Sequence, residues 1–361
     1  MKNFVVLLII SVIIPVSANS QRIDTLVDVG RFKLHFTIIK GEGTPILFEA
    51  GGGNDGTIWN GISQNIADIT KATVILYDRI GLGKSSSDSN KIGIENEIIG
   101  LKKGLTKLGF SKKIMLVSHS AGGFYNTLYA SKYTKEVQAI VFIDANLPCF
   151  FTEEQLVKMK ASKDFLNTIE IIKKNPLPTE IPVIDIVSER TLFEGTPDAD
   201  RWKNCHKDFV SASTQRKGIV AYETGHYVFF SNKRLVINCV VSQYANYVML
   251  TKKAEILERG YAQEQLAANE DRRSLMKYWH SEGDLNEWGY SLLKQKQEEK
   301  ALEIFKLNVS LHPESANAFD SLGELYLKLG NKELAIQNYK RALELNPKKE
   351  SAKKALEQLL K

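Results

Sequence analysis

The sequence predicts an α/β domain, with a mainly parallel sheet flanked by helices, followed by a smaller all-α module. Strand and helix patterns alternate from Arg22 to about Val248, no strand pattern follows Val248, and a repeat begins near Leu285. Strands that alternate with helices of about 10–15 residues indicate a parallel sheet covered on both faces. At 361 residues, the chain has room for both units.

Short segments rich in β-branched and other apolar residues are predicted to be strands: Arg31–Ile39, Pro45–Glu49, Thr73–Tyr77, Lys113–Ser118, Gln138–Asp144, Ile181–Ser188 and Gly218–Tyr222. Helices are predicted between or after them, at Ile58–Ile69, Ile94–Leu108, Gly122–Lys132 and Leu235–Tyr247. The connection Leu147–Glu180 is longer than usual, and its own pattern is helical. A connection of this length between buried strands is often a lid or a binding element.

Composition excludes several classes of function. The net charge of +6 is spread along the chain, and no basic run is interleaved with stacking aromatic residues, so no nucleic-acid partner is expected. Cys149, Cys205 and Cys239 are too few for a disulfide-stapled scaffold, although one pair could form outside the cytoplasm. No cysteine or histidine cluster has the spacing of a zinc site, and neither a metal nor an organic cofactor is implied.

The N-terminus has the pattern of a secretory signal peptide over residues 1–20. Lys2 precedes a short apolar run from Phe4 to Val16, and small residues follow it at Ser17–Ser20. The run is shorter than the roughly 20 apolar residues that a membrane span needs. We therefore expect an exported protein, periplasmic or secreted, which is associated with a membrane only if this segment stays uncleaved.

Ser120 is the candidate nucleophile. It follows the buried strand that ends at Ser118, and the helix pattern resumes at Ala121 and Gly122. A nucleophile elbow has this order of strand, tight turn and helix, with small residues around the nucleophile because the two backbones approach closely. Ser118 stands where the elbow usually has glycine, but it is still small.

Two backbone amides are candidates for an oxyanion hole. Gly52 belongs to a glycine run, Gly51–Gly53, that ends an early strand, and Ala121 directly follows the candidate nucleophile. An oxyanion hole in a nucleophile-elbow enzyme uses an amide of each of these two kinds.

Residues 22–248 resemble the α/β-hydrolase superfamily. The resemblance is carried by the stretch Asp78–Ser85, which reads D-R-x-G-x-G-x-S, by the early glycine run, by the elbow and by the late Gly225-His226 pair. These motifs occur in the family's order, and the resemblance covers the whole of an N-terminal domain at residues 21–248. It implies a Ser–acid–His triad in that chain order.

The resemblance makes His226 the candidate general base, because it lies in the loop just after the last predicted strand, and that loop delivers the base in this family. His206 is the weaker candidate, since it lies in a helical stretch. For the acid, Asp144 at the end of a strand is slightly preferred, and Glu189 after the next strand is the alternative. Either carboxylate would orient the imidazole and stabilise its protonated form.

An internal repeat fills the C-terminal region. Five positions recur 34 residues later: Gly289 as Gly323, Leu293 as Leu327, Ala301 as Ala335, Phe305 as Tyr339 and Pro313 as Pro347. This period and these residue types are typical of tetratricopeptide repeats. We expect a helical linker at 249–284, then two repeats at 285–361 with Lys353–Leu360 as a capping helix.

The sequence therefore predicts an exported serine hydrolase that cleaves a small-molecule ester or amide through an acyl-enzyme on Ser120. The repeats contain no catalytic candidate, so they are expected to be dispensable for chemistry and to be available for contact with a protein partner. The alternative is a non-catalytic exported binding protein, built on a hydrolase scaffold with helical repeats.

Overall fold

The computed structural model describes residues 21–86, 92–268 and 282–360. Within these residues lies an eight-stranded sheet with the order β1-β2-β4-β3-β5-β6-β7-β8. Its strands are β1 (Arg22–Asp28), β2 (Lys33–Ile39), β3 (Gly43–Glu49), β4 (Ala72–Asp78), β5 (Ile114–His119), β6 (Val137–Ile143), β7 (Val183–Ser188) and β8 (Arg216–Ala221). Strands β3 to β8 pair in parallel, whereas β1 and β2 are antiparallel to their neighbours. The predicted mainly parallel sheet is confirmed.

Helices follow most strands of this sheet. They are α1 (Asn60–Thr70), α2 (Ile94–Lys107), α3 (Gly122–Lys132), α4 (Glu153–Lys158), α5 (Lys163–Lys174), α6 (Pro197–Ser211), α7 (Val228–Ser231), α8 (Lys233–Gln243) and α9 (Lys253–Ala268). The sequence analysis did not predict β1, and it identified α6 only as the helical stretch that contains His206.

The sheet is buried on both faces because successive side chains of a strand point to opposite sides. In β3, Ile46 and Phe48 lie in one apolar cluster, which includes residues of α1 and α8. Leu47, between them, lies in the other cluster, which includes residues of α2, α3 and α6. This alternation leaves the carboxyl ends of the parallel strands as the edge at which polar side chains can gather.

The long connection between β6 and β7 is helical, as its pattern predicts, and forms α4 and α5. A disulfide joins Cys149, near its start, to Cys205 in α6. Cys239 is buried as a free thiol. Within the described ranges, no helix combines the length and apolar character that a membrane crossing requires; the predicted signal peptide, residues 1–20, lies outside those ranges.

The C-terminal region is a run of helices, α10 (Glu282–Lys294), α11 (Glu298–Leu311), α12 (Ala316–Lys328), α13 (Lys332–Leu345) and α14 (Glu350–Leu359). Equivalent side chains pack in the same way in the two helix pairs. A Cβ on Gly289 would lie 2.5 Å from the ring of Phe305, and one on Gly323 would lie 3.0 Å from the ring of Tyr339. The 34-residue periodicity therefore corresponds to a repeated helix-to-helix contact.

These helices pack against the hydrolase-like domain. The core residues of α11, among them Phe305 and Leu307, belong to the same apolar cluster as Ile219 of β8 and Val236 of α8. Arg234 of α8 pairs with Glu303 of α11 at 2.5 Å. The predicted linker, residues 249–284, contains α9, and its residues 269–281 lie outside the described residues. One apolar core thus extends from the sheet into the repeats.

Candidate active site

Ser120 occupies the sharp turn between β5 and α3. Its φ angle is 51°, in the left-handed region that residues with a side chain seldom adopt. The Ser120 carbonyl holds the turn by accepting hydrogen bonds from the amides of Gly123 (2.9 Å) and Asn146 (2.7 Å). The turn therefore presents Ser120 at the carboxyl ends of the parallel strands, where ligands of open α/β sheets bind.

Two glycines allow the loop after β3 to approach this turn. A Cβ on Gly51 would lie 2.8 Å from Nδ1 of His119 and 3.2 Å from Cβ of Ser120. A Cβ on Gly122 would lie 2.8 Å from the carbonyl oxygen of Glu49. Because a Cβ does not fit at these distances, only glycine permits the close approach at both positions.

His226 and Asp144 form a hydrogen-bonded pair at the same edge of the sheet. Nδ1 of His226 donates to Oδ2 of Asp144 at 2.7 Å. Asp144 is fully buried, and it also accepts hydrogen bonds from the amide (3.1 Å) and hydroxyl (2.8 Å) of Ser188 and from Nε1 of Trp202 (3.0 Å). These donors fix the carboxylate, which in turn keeps the proton of a neutral His226 on Nδ1 and leaves Nε2 as a base.

Asp144 is held in its charged form. Burial raises the pKa of Asp144, but the hydrogen bond from His226 and the other polar neighbours outweigh burial, so the pKa lies below its ordinary value. A carboxylate that is ionised at neutral pH can stabilise a positive charge that forms on the imidazole beside it.

His119 connects the turn of Ser120 to the loop of His226. Its Nε2 donates to the backbone carbonyl of His226 at 3.0 Å, and the two imidazole rings lie 4.4 Å apart. Burial first, and then the neighbouring His226, lower the pKa of His119 to about 3. His119 is therefore neutral at physiological pH, and it supports the histidine loop rather than exchanging protons.

The hydroxyl of Ser120 makes no hydrogen bond with another described residue. Catalytic hydrogen bonds are often long or absent before substrate is bound, so this geometry does not exclude proton transfer.

Gly52 and Ala121 are close neighbours in space. A Cβ on Gly52 would contact the Cβ of Ala121 at 3.7 Å. Neither amide has a hydrogen-bond acceptor among the described residues. Two neighbouring backbone donors without acceptors, directly beside a serine in a strained turn, are suited to binding a negatively charged oxygen.

Arg79 orients the Gly52 amide, although the sequence analysis gave this residue no role. Its guanidinium donates to the carbonyls of Ala50 and Gly51, each at 2.6 Å, and it pairs with the buried Glu49. In a trans peptide the C=O and N–H groups point in opposite directions. Holding the Gly51 carbonyl on the Arg79 side therefore directs the Gly52 N–H the other way. Arg79 belongs to the D-R pair of the Asp78–Ser85 motif, and this pair was the sequence signal that could have identified it.

The two weaker candidates have other partners. Glu189, the alternative acid, accepts a hydrogen bond from the amide of Glu223 at 2.7 Å. His206, the weaker candidate base, is buried in α6 and pairs with Asp185 at 2.8 Å. The structure thus gathers Ser120, His226 and Asp144 with the two candidate amides, while Glu189 and His206 pair elsewhere.

The described residues contain no group of three or more His, Cys, Asp and Glu side chains arranged to hold a metal ion. The chemistry available at this site is that of a hydroxyl, an imidazole, a carboxylate and backbone amides.

Known proteins resemble the chain in two segments. The family model described as alpha/beta hydrolase fold matches residues 44–182, and the model described as tetratricopeptide repeat matches residues 321–349. The uncharacterized protein YqjL of Bacillus subtilis is 26% identical over 206 residues, which are 54% of this chain and 81% of YqjL. Human 1-acylglycerol-3-phosphate O-acyltransferase ABHD5 is 29% identical over 106 residues, which are 28% of this chain but only 29% of ABHD5.

Among solved structures, a thermophilic esterase from Thermogutta terrifontis is similar with a TM-score of 0.47 and 17% identity, over 61% of this chain and 96% of that chain. A putative lipase from Acinetobacter baumannii AYE is similar with a TM-score of 0.46 and 15% identity, over 64% of this chain and 92% of that chain. The family models and the sheet order lead to one conclusion: the chain has an α/β-hydrolase fold, matched by the family model at residues 44–182, followed by a run of helices in which residues 321–349 match a tetratricopeptide repeat.

Proposed function

We propose that the protein is an exported serine hydrolase that cleaves a carboxylic ester or an amide through an acyl-enzyme on Ser120. The observation that carries the proposal is the combination of a serine at positive φ with a buried His226–Asp144 pair at the same sheet edge. Ester and amide hydrolysis both need a nucleophile, a base and oxyanion donors, and each has a candidate here.

In the proposed reaction, Oγ of Ser120 attacks the substrate carbonyl while Nε2 of His226 takes the hydroxyl proton. Asp144 stabilises the imidazolium through Nδ1, and the amides of Gly52 and Ala121 donate to the oxyanion. Collapse of the intermediate breaks the bond to the leaving alcohol or amine, which receives the proton from His226. Water, deprotonated by His226, then attacks the acyl-enzyme and releases the acid, and the proton returns to Ser120.

A fluorophosphonate probe tests the nucleophile directly, because it reacts only with an activated serine. The mature wild-type chain should be labelled and should hydrolyse p-nitrophenyl acetate. Ser120→Ala should abolish labelling and lower kcat by about 10³-fold or more. His226→Ala should be comparably damaging because triad members act as a unit.

Asp144→Asn and Glu189→Gln form a matched pair that tests the acid. Asp144→Asn should lower kcat by about 10⁴-fold, because the wrong imidazole tautomer is favoured. Glu189→Gln keeps an acceptor for the Glu223 amide, so kcat should stay within about tenfold of wild type. An unlabelled but folded wild-type chain would instead favour the non-catalytic binding protein.

Export is supported by the Cys149–Cys205 disulfide, since disulfides form and persist mainly in oxidising compartments. N-terminal sequencing of the protein from its native host tests export. A first residue between Asn19 and Asp24 is expected, and recovery of the Met1 form in the membrane fraction would contradict cleavage.

A further inference from the structure

We propose that the tetratricopeptide repeats hold the loop of the catalytic base in place, and that Glu223 is the positioning residue through which they do so. The inference rests on the proposed role of His226 as the base. The repeats contain no candidate catalytic residue, and the inference gives them an indirect part in catalysis.

Glu223 lies on the short loop that follows β8, three positions before His226. Its φ angle is 57°, so the backbone turns sharply at this residue. Only Thr224 and Gly225 separate it from His226, and the three steps from Glu223 to His226 span at most about 11 Å of extended chain. A displacement of Glu223 is therefore passed almost directly to the imidazole.

The carboxylate of Glu223 points away from the hydrolase domain and into the repeats. It accepts hydrogen bonds from the hydroxyl of Tyr326 and from Nδ2 of Asn338, the latter at 3.0 Å. Nζ of Lys306 lies 3.5 Å from it. These three partners belong to three successive repeat helices, α11, α12 and α13. The side chain of Glu223 is only 13% exposed, so the repeats enclose the carboxylate.

The burial of the Glu223 carboxylate favours its contacts with the repeats. Burial raises the pKa of Glu223, while Asn338 and Lys306 act in the opposite direction. A buried carboxylate is stable only with such partners. The neighbouring Tyr222 adds an apolar contact, because its ring packs edge-on against Phe319 of α12 at 5.2 Å.

The hydrolase domain holds the same loop from the opposite side. The Glu223 amide donates to Glu189 at 2.7 Å, and Nη2 of Arg190 donates to the Glu223 carbonyl at 2.7 Å. The amide of Arg190 donates to the Thr224 carbonyl at 3.0 Å. The backbone of the loop is thus held by the segment after β7, and its side chain by the repeats. The two sets of contacts together restrict movement of the loop that leads to His226.

Glu223→Ala removes the side-chain half of this attachment without changing any catalytic group. We expect kcat on p-nitrophenyl acetate to fall by about 10²-fold, because a misplacement of about 1 Å has that effect on a catalytic group. KM should change by less than about threefold, and the rate of fluorophosphonate labelling should fall in parallel with kcat. Glu223→Gln retains an acceptor and should restore part of the lost kcat.

The matched control is Glu303→Gln, which also removes a carboxylate between the two domains. Glu303 pairs with Arg234, which lies in α8 and so outside the loop from Glu223 to His226. This variant should stay within about twofold of wild-type kcat even if its melting temperature falls. A kcat for Glu223→Ala that equals that of Glu303→Gln would overturn the proposal.

The repeat side supplies a second test, which stays informative if Glu223→Ala folds poorly. Asn338→Ala should lower kcat with little change in KM, and the double variant with Glu223→Ala should be no worse than Glu223→Ala alone, because the two residues share one contact. Additive losses in kcat would refute the attachment. If the wild type is not labelled at all, the proposed function fails; if wild type and Glu223→Ala are labelled at equal rates, only this inference fails.

Discussion

Backbone strain is concentrated at the residues to which we assign roles in the site. Outside glycine, six described residues have a positive φ, and three of them are Ser120, Asp144 and Glu223. Such conformations cost on the order of 1–3 kcal/mol each and persist only where the surroundings determine them. The hydrogen bonds to the Ser120 carbonyl, to the Asp144 carboxylate and on both sides of Glu223 provide those surroundings.

A second group of ionisable side chains lies behind the loop of Gly51. Arg79 packs over the ring of Tyr125 at 4.7 Å, and the Tyr125 hydroxyl donates to Glu97 at 3.1 Å. Burial raises the pKa of Glu97, and this effect is larger than the lowering by Tyr125 and Arg79. The pKa of Glu97 is therefore raised to about 7. In the folded protein, this carboxyl therefore holds its proton at pH values where the unfolded chain has already lost it.

This difference predicts how stability depends on pH. Below about pH 4.5, Glu97 is protonated in both states, and its contribution is fully present. As the pH rises from about 4.5 to 7, the unfolded state releases the proton first, so the free energy of unfolding decreases. Glu97→Gln should be more stable than wild type at pH 8 by about 1–3 kcal/mol, and its stability should decline less over that range.

Urea unfolding at a series of pH values measures the effect. Glu95→Gln is the matched control, since Glu95 lies in the same helix and pairs with Lys132 at the surface. A Glu97→Gln variant with the same pH dependence as wild type would rule out this account of the Glu97 carboxyl.

At the scale of elements, the sequence predicted the strands that are buried on both faces and missed β1. Strands such as β5 are continuously apolar and stand out from their surroundings. Strand β1, R-I-D-T-L-V-D, is an edge strand with mostly exposed or half-buried residues, and it pairs with β2 alone. A strand with few buried side chains has no clear alternation of apolar and polar residues in its sequence. Such an edge strand is stabilised by pairing with its neighbour rather than by its own apolar residues.

The residues of the candidate site that belong to local sequence motifs could be predicted from the sequence. Ser120, His226 and the two amides lie in recognisable turns next to strands. The choice between Asp144 and Glu189 depends on which loop lies beside His226, and that is a tertiary property. The role of Glu223 left no local signal, since its partners Tyr326 and Asn338 are 103 and 115 residues away.

The disulfide ties the connection that contains α4 and α5 to α6. It closes a loop with a sequence separation of 56 residues, for which loss of chain entropy in the unfolded state predicts a stabilisation of up to about 4 kcal/mol. Cys149→Ser/Cys205→Ser should therefore unfold at a lower urea concentration, with the free energy of unfolding reduced by about 2–4 kcal/mol. Dithiothreitol should destabilise wild type by a similar amount and leave the double variant unchanged. A dithiothreitol effect that persists in the double variant would contradict this assignment.

At the scale of the whole molecule, the two domains share one apolar core. Residues of α11, α8 and β8 belong to a single cluster, and the repeats also enclose Glu223 beside the candidate active site. Two tetratricopeptide repeats seldom suffice for independent stability, and the hydrolase domain supplies a surface that covers α11. The structure thus leads to a different expectation from the sequence, which predicted repeats that are dispensable for chemistry.

A chain that ends at Ala268 tests this expectation. It keeps α9, which is anchored to α1 by the hydrogen bond from Arg259 to the Ile69 carbonyl at 2.6 Å, and it lacks every repeat helix. The exposed face of α8 and β8 should lower the melting temperature and the solubility. Because the Glu223 carboxylate then has only water as a partner, the base loop loses half of its attachment. We expect kcat to fall by about 10²-fold, equivalent to about 2.7 kcal/mol of activation free energy, with KM nearly unchanged.

Glu223→Ala in the truncated chain distinguishes loss of this contact from general loosening of the domain. If the repeats act on the base through Glu223, the substitution should have no further effect on kcat once the repeats are absent. A truncated, folded chain with kcat within about tenfold of the full chain would show that the repeats serve stability or partner contact alone. A truncated chain that loses kcat further on Glu223→Ala would mean that Glu223 acts on His226 without the repeats, through its contacts inside the hydrolase domain.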